Sequence, residues 1–96
     1  MKNYEVMYII KPMAEDAFNA LVVKFENIIK ENGGEVSQTD SWGKKRLAYK
    51  IQDYTHGLYV LMAFKCDPEA TKELHRVMDI NQDVLRHMII RKGDNL

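Results

Sequence analysis

The chain has 96 residues, 14 Lys plus Arg against 14 Asp plus Glu, no formal net charge and one cysteine, Cys66. That length builds one domain, residues 1–96, with little room for a deep substrate cavity, and a lone cysteine excludes an intramolecular disulfide. Neutral balance argues against a protein that coats nucleic acid by bulk attraction, and the N-terminal apolar run in MKNYEVMYII is too short to span a bilayer and lacks a signal-cleavage pattern. No later segment is long enough to span either, so no membrane partner is expected, and cysteine usage suits a reducing cytosol.

Six elements follow in chain order. Residues 4–10 are aromatic and β-branched, apolar on both parities, which suits a central strand ended by Pro12. Residues 14–32 form the clearest helix. Phe18, Leu21, Val22, Phe25, Ile28 and Ile29 recur at three- and four-residue steps, Glu15 and Asp16 favour its positive end, and Gly33–Gly34 stop it. Residues 36–53 make a long strand whose later half alternates Leu47, Tyr49 and Ile51 against Ala48 and Lys50. The polar cluster QDYTHG predicts a turn, and residues 58–65 a second strand apolar on both faces, hence central. Asp67–Pro68 opens a second helix, with Asp67 as the capping side chain, whose stripe is Ala70, Leu74, Val77 and Met78 and whose stop is Asn81. Residues 84–91 form the last strand.

The order is βαββαβ. Two helices with one apolar stripe each must cover one face of a four-stranded antiparallel sheet, which is the α+β, ferredoxin-like split βαββαβ sandwich. Its usual strand order puts the first and third strands in the middle, in keeping with their apolar character.

Charge is distributed unevenly. The segment 67–83 holds five acids, Asp67, Glu69, Glu73, Asp79 and Asp83, against Lys72 and Arg76. By contrast, WGKKRLAYKI carries Lys44, Lys45, Arg46 and Lys50 with no acid, and Arg86, Arg91 and Lys92 with His87 form a second basic cluster. Such cations can be gatekeepers that keep an edge strand from recruiting another chain. Yet one or two charges suffice for that, and two basic edges on one small sheet suit phosphate contacts with structured RNA.

Catalytic chemistry is not apparent. His56, His75 and His87 show no metal-ligand spacing with one another or with Cys66, and no metal or other cofactor is expected. No glycine-rich phosphate loop and no nucleophile with a base and oxyanion donors can be assembled, so neither enzymatic activity nor a small-molecule substrate is expected. HGLYVLMAF has some of the rhythm of the strand signature of RNA-recognition motifs, but the second glycine and the aromatic spacing are missing. Most rings, Tyr4 and Tyr8 included, suit sheet filling. Trp42, beside the cation run, is the ring least suited to the core.

In order along nearly the whole chain, YEVMYIIKP, GGEV, WGKKRLAYKI, GLYVLMAF and VLRHMIIRK together resemble the bacterial small-subunit ribosomal protein six family. The resemblance implies a structural component of the small ribosomal subunit, cytoplasmic and ribosome-bound. It implies binding to the central domain of small-subunit rRNA together with small-subunit ribosomal protein eighteen, and no enzymatic activity or cofactor. The family's basic pair before Leu-Ala-Tyr corresponds to Lys45 and Arg46, its last-strand basic residue to Arg86, and Lys2 stands ahead of Tyr4 where the family commonly has a cation. The expected rRNA-binding set is therefore Lys2, Tyr4, Lys44, Lys45, Arg46, Arg86, Arg91 and Lys92. The expected protein-partner set, on the exposed edge of the long strand 36–53, is Trp42, Leu47, Tyr49 and Lys50.

Two departures from the family stand out. Lys50 replaces the proline usual after Leu-Ala-Tyr, which predicts a more regular strand there and adds a cation. Leu85 stands where some relatives have a basic residue before Arg86. Two other classes remain open from the residues alone: a ferredoxin-like ligand-sensing or self-associating module, and a small ferredoxin-like hydrolase. The second needs an anion-binding loop, which KPMAED, with its proline and two acids, makes poorly.

Overall fold

The computed structural model describes residues 1–93, so residues 94–96 of the expected 1–96 span lie outside the described residues. In order the elements are β1 (Lys2–Ile10), α1 (Glu15–Glu31), β2 (Glu35–Ile51), β3 (Tyr54–Cys66), α2 (Pro68–Ile80) and β4 (Val84–Arg91). All strand pairs are antiparallel and the sheet order is β2-β3-β1-β4, the ferredoxin-like split βαββαβ arrangement expected from the sequence.

The two middle strands are those with apolar residues on both parities. Val6, Tyr8 and Ile10 of β1 face the helices beside Val60, Met62 and Phe64 of β3, and Phe25, Ile29, Leu74 and Met78 close the core from α1 and α2. Helix α1 ends as GG predicts. Gly33 adopts φ +83°, its N–H donates to the Lys30 carbonyl, and the Gly34 N–H reaches back to Ile29 at 2.8 Å, a Schellman pattern. A Cβ on Gly34 would lie 2.6 Å from the Lys65 carbonyl oxygen and 2.8 Å from the Cys66 Cβ, so glycine also permits the helix end to touch β3. Asp67 takes the N-cap position of α2 with Pro68 behind it, but its side chain makes no capping hydrogen bond, contrary to expectation.

The turn between β2 and β3 is tighter than QDYTHG suggests. Gln52 (φ 49°) and Asp53 (φ 70°) alone make it, with Ile51 paired to Tyr54, the two-residue geometry whose left-handed backbone matches strand twist. Tyr54 to Gly57 therefore belong to β3. Pairing of β3 with β1 stops at Leu58 opposite Ile10, so residues 45–57 form a two-stranded arm that projects past the end of β1.

Candidate nucleic-acid interface

The cation run begins at the base of the arm with Lys44 and continues into it. Lys44 pairs with Leu58, Lys45 with Gly57 and Arg46 with His56, so strand alternation puts Lys44 and Arg46 on one face and Lys45 on the other. One residue earlier the ladder skips between Ser41 and Gly43, Gly43 takes φ +79°, and Trp42 is the extra residue of the bulge, about half exposed. Lys44, Lys45, Arg46 and Lys50 are all exposed. None of them forms an ion pair among the described residues; the cations that do are Lys11 with Asp83, Lys72 with Glu69, Arg76 with Glu73 and Lys92 with Glu5.

Beyond Arg46 the arm is irregular. Arg46 opposes His56 and Ile51 opposes Tyr54, so the four residues Leu47–Lys50 face Thr55 alone. Lys50 in place of the family proline therefore does not give a regular strand. The extra backbone is used to turn a side chain inward: Leu47 is 6 % exposed and packs with Ile9 and Leu85, flanked by Ile51, Tyr54 and Tyr59, in a small second core on the sheet face away from the helices. Gly57 is required there, since a Cβ would collide with the Ile9 side chain. Leu47, expected on an exposed edge, is the anchor of the arm instead and offers no side chain to a partner.

Tyr49 is 61 % exposed and is met by Arg86 of β4, whose Nη1 donates to the Tyr49 hydroxyl while the guanidinium lies 5.9 Å from the ring centroid. The expected RNA residue Arg86 and the expected partner residue Tyr49 thus share one surface. Arg86 does not cluster with Arg91 and Lys92. It lies opposite Ile9 and they lie beside Tyr4 and Asn3, toward the other end of β1. At about 3.3 Å per residue, Lys2, Arg91 and Lys92 stand about 20–25 Å from the arm. The cations of β2 and β4 therefore lie on the two edge strands, as expected, but they also divide between two ends of the sheet. Lys92 also has a partner, Glu5, at 3.8 Å. Tyr4, expected in the rRNA-binding set, is 8 % exposed and stacked on Phe64 with centroids 5.8 Å apart, so its ring belongs to the core. Its parity with Val6 and Tyr8 carried that signal in the sequence.

The acids of segment 67–83 lie on α2, at its N-cap and in the turn after it; on the helix Glu73 holds the Arg76 fork at 2.8 and 2.9 Å. Cys66 is buried, and burial together with nearby Asp67 pushes its thiol up, away from nucleophile chemistry. The Tyr8 hydroxyl is buried with no hydrogen-bond partner among the described residues, and burial likewise pushes its ionisation up. An open cleft of about 350 Å3 lies between Lys11, Tyr54 and the end of α2, but it gathers no nucleophile with a base. The histidines differ from expectation: His87 Nε2 and His75 Nδ1 are 2.9 Å apart, twelve residues apart in sequence. Burial, then the neighbouring His75, holds the His87 imidazole below its ordinary range.

Comparison with known proteins places this architecture. Residues 3–91 match the family described as ribosomal protein S6. The small ribosomal subunit protein bS6 of Desulforamulus reducens is 56 % identical over 98 % of this chain and all of that protein. The corresponding protein of Moorella thermoacetica is 47 % identical over 95 % of this chain and 94 % of its own length. The crystal structure of 30S ribosomal protein S6 from Thermotoga maritima superposes with a TM-score of 0.90 at 28 % identity, covering 95 % of this chain and 87 % of that one.

Proposed function

Because this chain belongs to the ribosomal protein S6 family, a structural and non-enzymatic family of the small ribosomal subunit, we propose that it binds small-subunit rRNA through the β2–β3 arm. The observation that carries this is the arm with its base: four exposed cations, Lys44 at the base and Lys45, Arg46 and Lys50 within the arm, with no carboxylate paired to any of them among the described residues. A gatekeeping edge does not need a projecting arm held down by its own small core. A polyanion is served by it, because each exposed cation that meets a phosphate releases counterions and such contacts set the protein's register on RNA. Arg86, clamped on Tyr49, extends the same surface, and the more distant Lys2 and Arg91 reach a second stretch of backbone.

We further propose small-subunit ribosomal protein eighteen as the protein partner and the central domain of the rRNA as the target, in the cytoplasm. Strand β2 is an edge strand, with one side of its backbone unpaired, and Trp42, Tyr49 and Lys50 project from it. An unpaired edge offers donors and acceptors for strand addition or close packing. A partner bound there while RNA lies on the arm makes the two bindings cooperative by linkage.

The test is the salt dependence of binding to a central-domain rRNA fragment with the partner present. Four neutralised phosphates give a log–log slope of about −3 to −4, so a fourfold rise in salt weakens binding about a hundredfold. Reversal of Lys45 and Arg46 to glutamate should halve the arm's share of that slope. A slope that the double variant leaves unchanged removes the arm from the RNA contact set.

A further inference from the structure

Three side chains outside the RNA surface converge where α2 packs on β4. His75 and Asp79 stand four residues apart on α2 and so share one face of the helix. His87 pairs in register with Tyr8, on the sheet face that the helices cover, so its ring rises toward α2. The two imidazoles lie with centroids 4.9 Å apart and tilted by 57°, with His87 Nε2 aimed at His75 Nδ1. One oxygen of Asp79 completes a group of three ligand atoms that all lie within 4.8 Å of one another.

We propose that His75, Asp79 and His87 form a binding site for a divalent transition-metal ion of the Zn2+ class. The donor set is the reason. Two imidazole nitrogens and a carboxylate oxygen suit Zn2+, Co2+ or Ni2+, whereas Mg2+ and Ca2+ call for oxygen ligands. Three protein ligands leave the remaining position to water, as in open zinc sites. The geometry needs little adjustment. With metal–nitrogen bonds of about 2.0–2.1 Å at a tetrahedral centre, two ligand nitrogens sit about 3.3 Å apart. The observed 2.9 Å opens to that by a small ring rotation. His75 and Asp79 are exposed, so their side chains can close on an ion without disturbing the core. Arg76, the nearest fixed cation on the helix, is already held by both oxygens of Glu73 and does not compete for Asp79. The ion would tie α2 to β4, an edge strand of the sheet. This site is separate from the RNA surface and stands or falls independently of it.

The test uses the untagged full chain, titrated with ZnCl2 by calorimetry and with CoCl2 by visible absorption. The expected result is one ion per chain, cobalt d–d bands without a thiolate charge-transfer band, and reversal by a chelator. His75→Gln and His87→Gln should each weaken Zn2+ binding at least tenfold, and Asp79→Asn less. His75 is exposed, so the His75→Gln variant keeps its fold, which circular dichroism verifies. The proposal is overturned if the wild-type chain takes up no stoichiometric ion. It is equally overturned if His75→Gln binds as tightly as wild type, which would put the ion on Cys66 or His56.

Discussion

Leu47→Ala tests the anchoring of the arm. Leu47 is nearly fully buried, but among the described residues its cluster has only two other buried members, Ile9 and Leu85, and it sits at the margin of the sheet. Leucine-to-alanine changes in cores cost about 2–5 kcal/mol, the lower end applying where neighbours can collapse into the space. Ile51, Tyr54 and Tyr59 can do so here, so the expected loss is about 2 kcal/mol. For a domain of this size that lowers the melting temperature by about 8–16 °C. Urea denaturation followed by circular dichroism measures the loss directly, and Leu47→Met, which keeps the volume, should stay within about 1.5 kcal/mol of wild type. The same Leu47→Ala chain should bind rRNA more weakly at any salt, because the cations must then be ordered during binding. A loss below about 0.5 kcal/mol, the range of ordinary surface changes, would refute the second core and leave the arm unanchored.

Tyr8→Phe removes a buried hydroxyl that has no partner among the described residues while keeping the ring edge-on to Phe25 at 5.2 Å, so stability should hold or rise by about 1 kcal/mol in denaturant melts. Gly34→Ala drives a methyl against the Lys65 carbonyl and Cys66 and should cost about 1–3 kcal/mol by the same measurement. Replacing Gln52–Asp53 by Asn–Gly puts residues that favour left-handed backbone at both turn positions and should stabilise by about 1 kcal/mol, with the hairpin's amide cross-peaks keeping their pattern in NMR spectra.

Element order and sheet order were legible because two rules act locally. Apolar residues on both parities marked β1 and β3 as central, and a helical stripe ended by Gly33–Gly34 bounded α1. The misses came from where local rules lose to tertiary contacts. QDYTHG looks like one loop because polar residues dominate it, yet left-handed Gln52 and Asp53 turn the chain alone and Tyr54 to Gly57 extend β3. Strand alternation predicts Leu47 and Tyr49 on one face, but it could not show that an irregular ladder would bury the first and leave the second to Arg86. The basic residues of β4 are close in sequence, yet a strand spends about 3.3 Å on each residue and so carries Arg86 and Arg91 apart. His75 and His87 meet only because α2 folds back over β4. The spacing of His75 and Asp79 on one helix face was visible, but the third ligand was not.

The most direct measurement is a high-resolution electron cryo-microscopy map of the small ribosomal subunit containing this protein. The arm should lie along rRNA, with Lys44, Lys45 and Arg46 within about 4 Å of phosphate oxygens, the range of direct ion pairing. A map in which the arm projects into solvent, its cations meeting neither phosphate nor any other anionic surface, would contradict the assignment of residues 45–57 as the RNA-binding element.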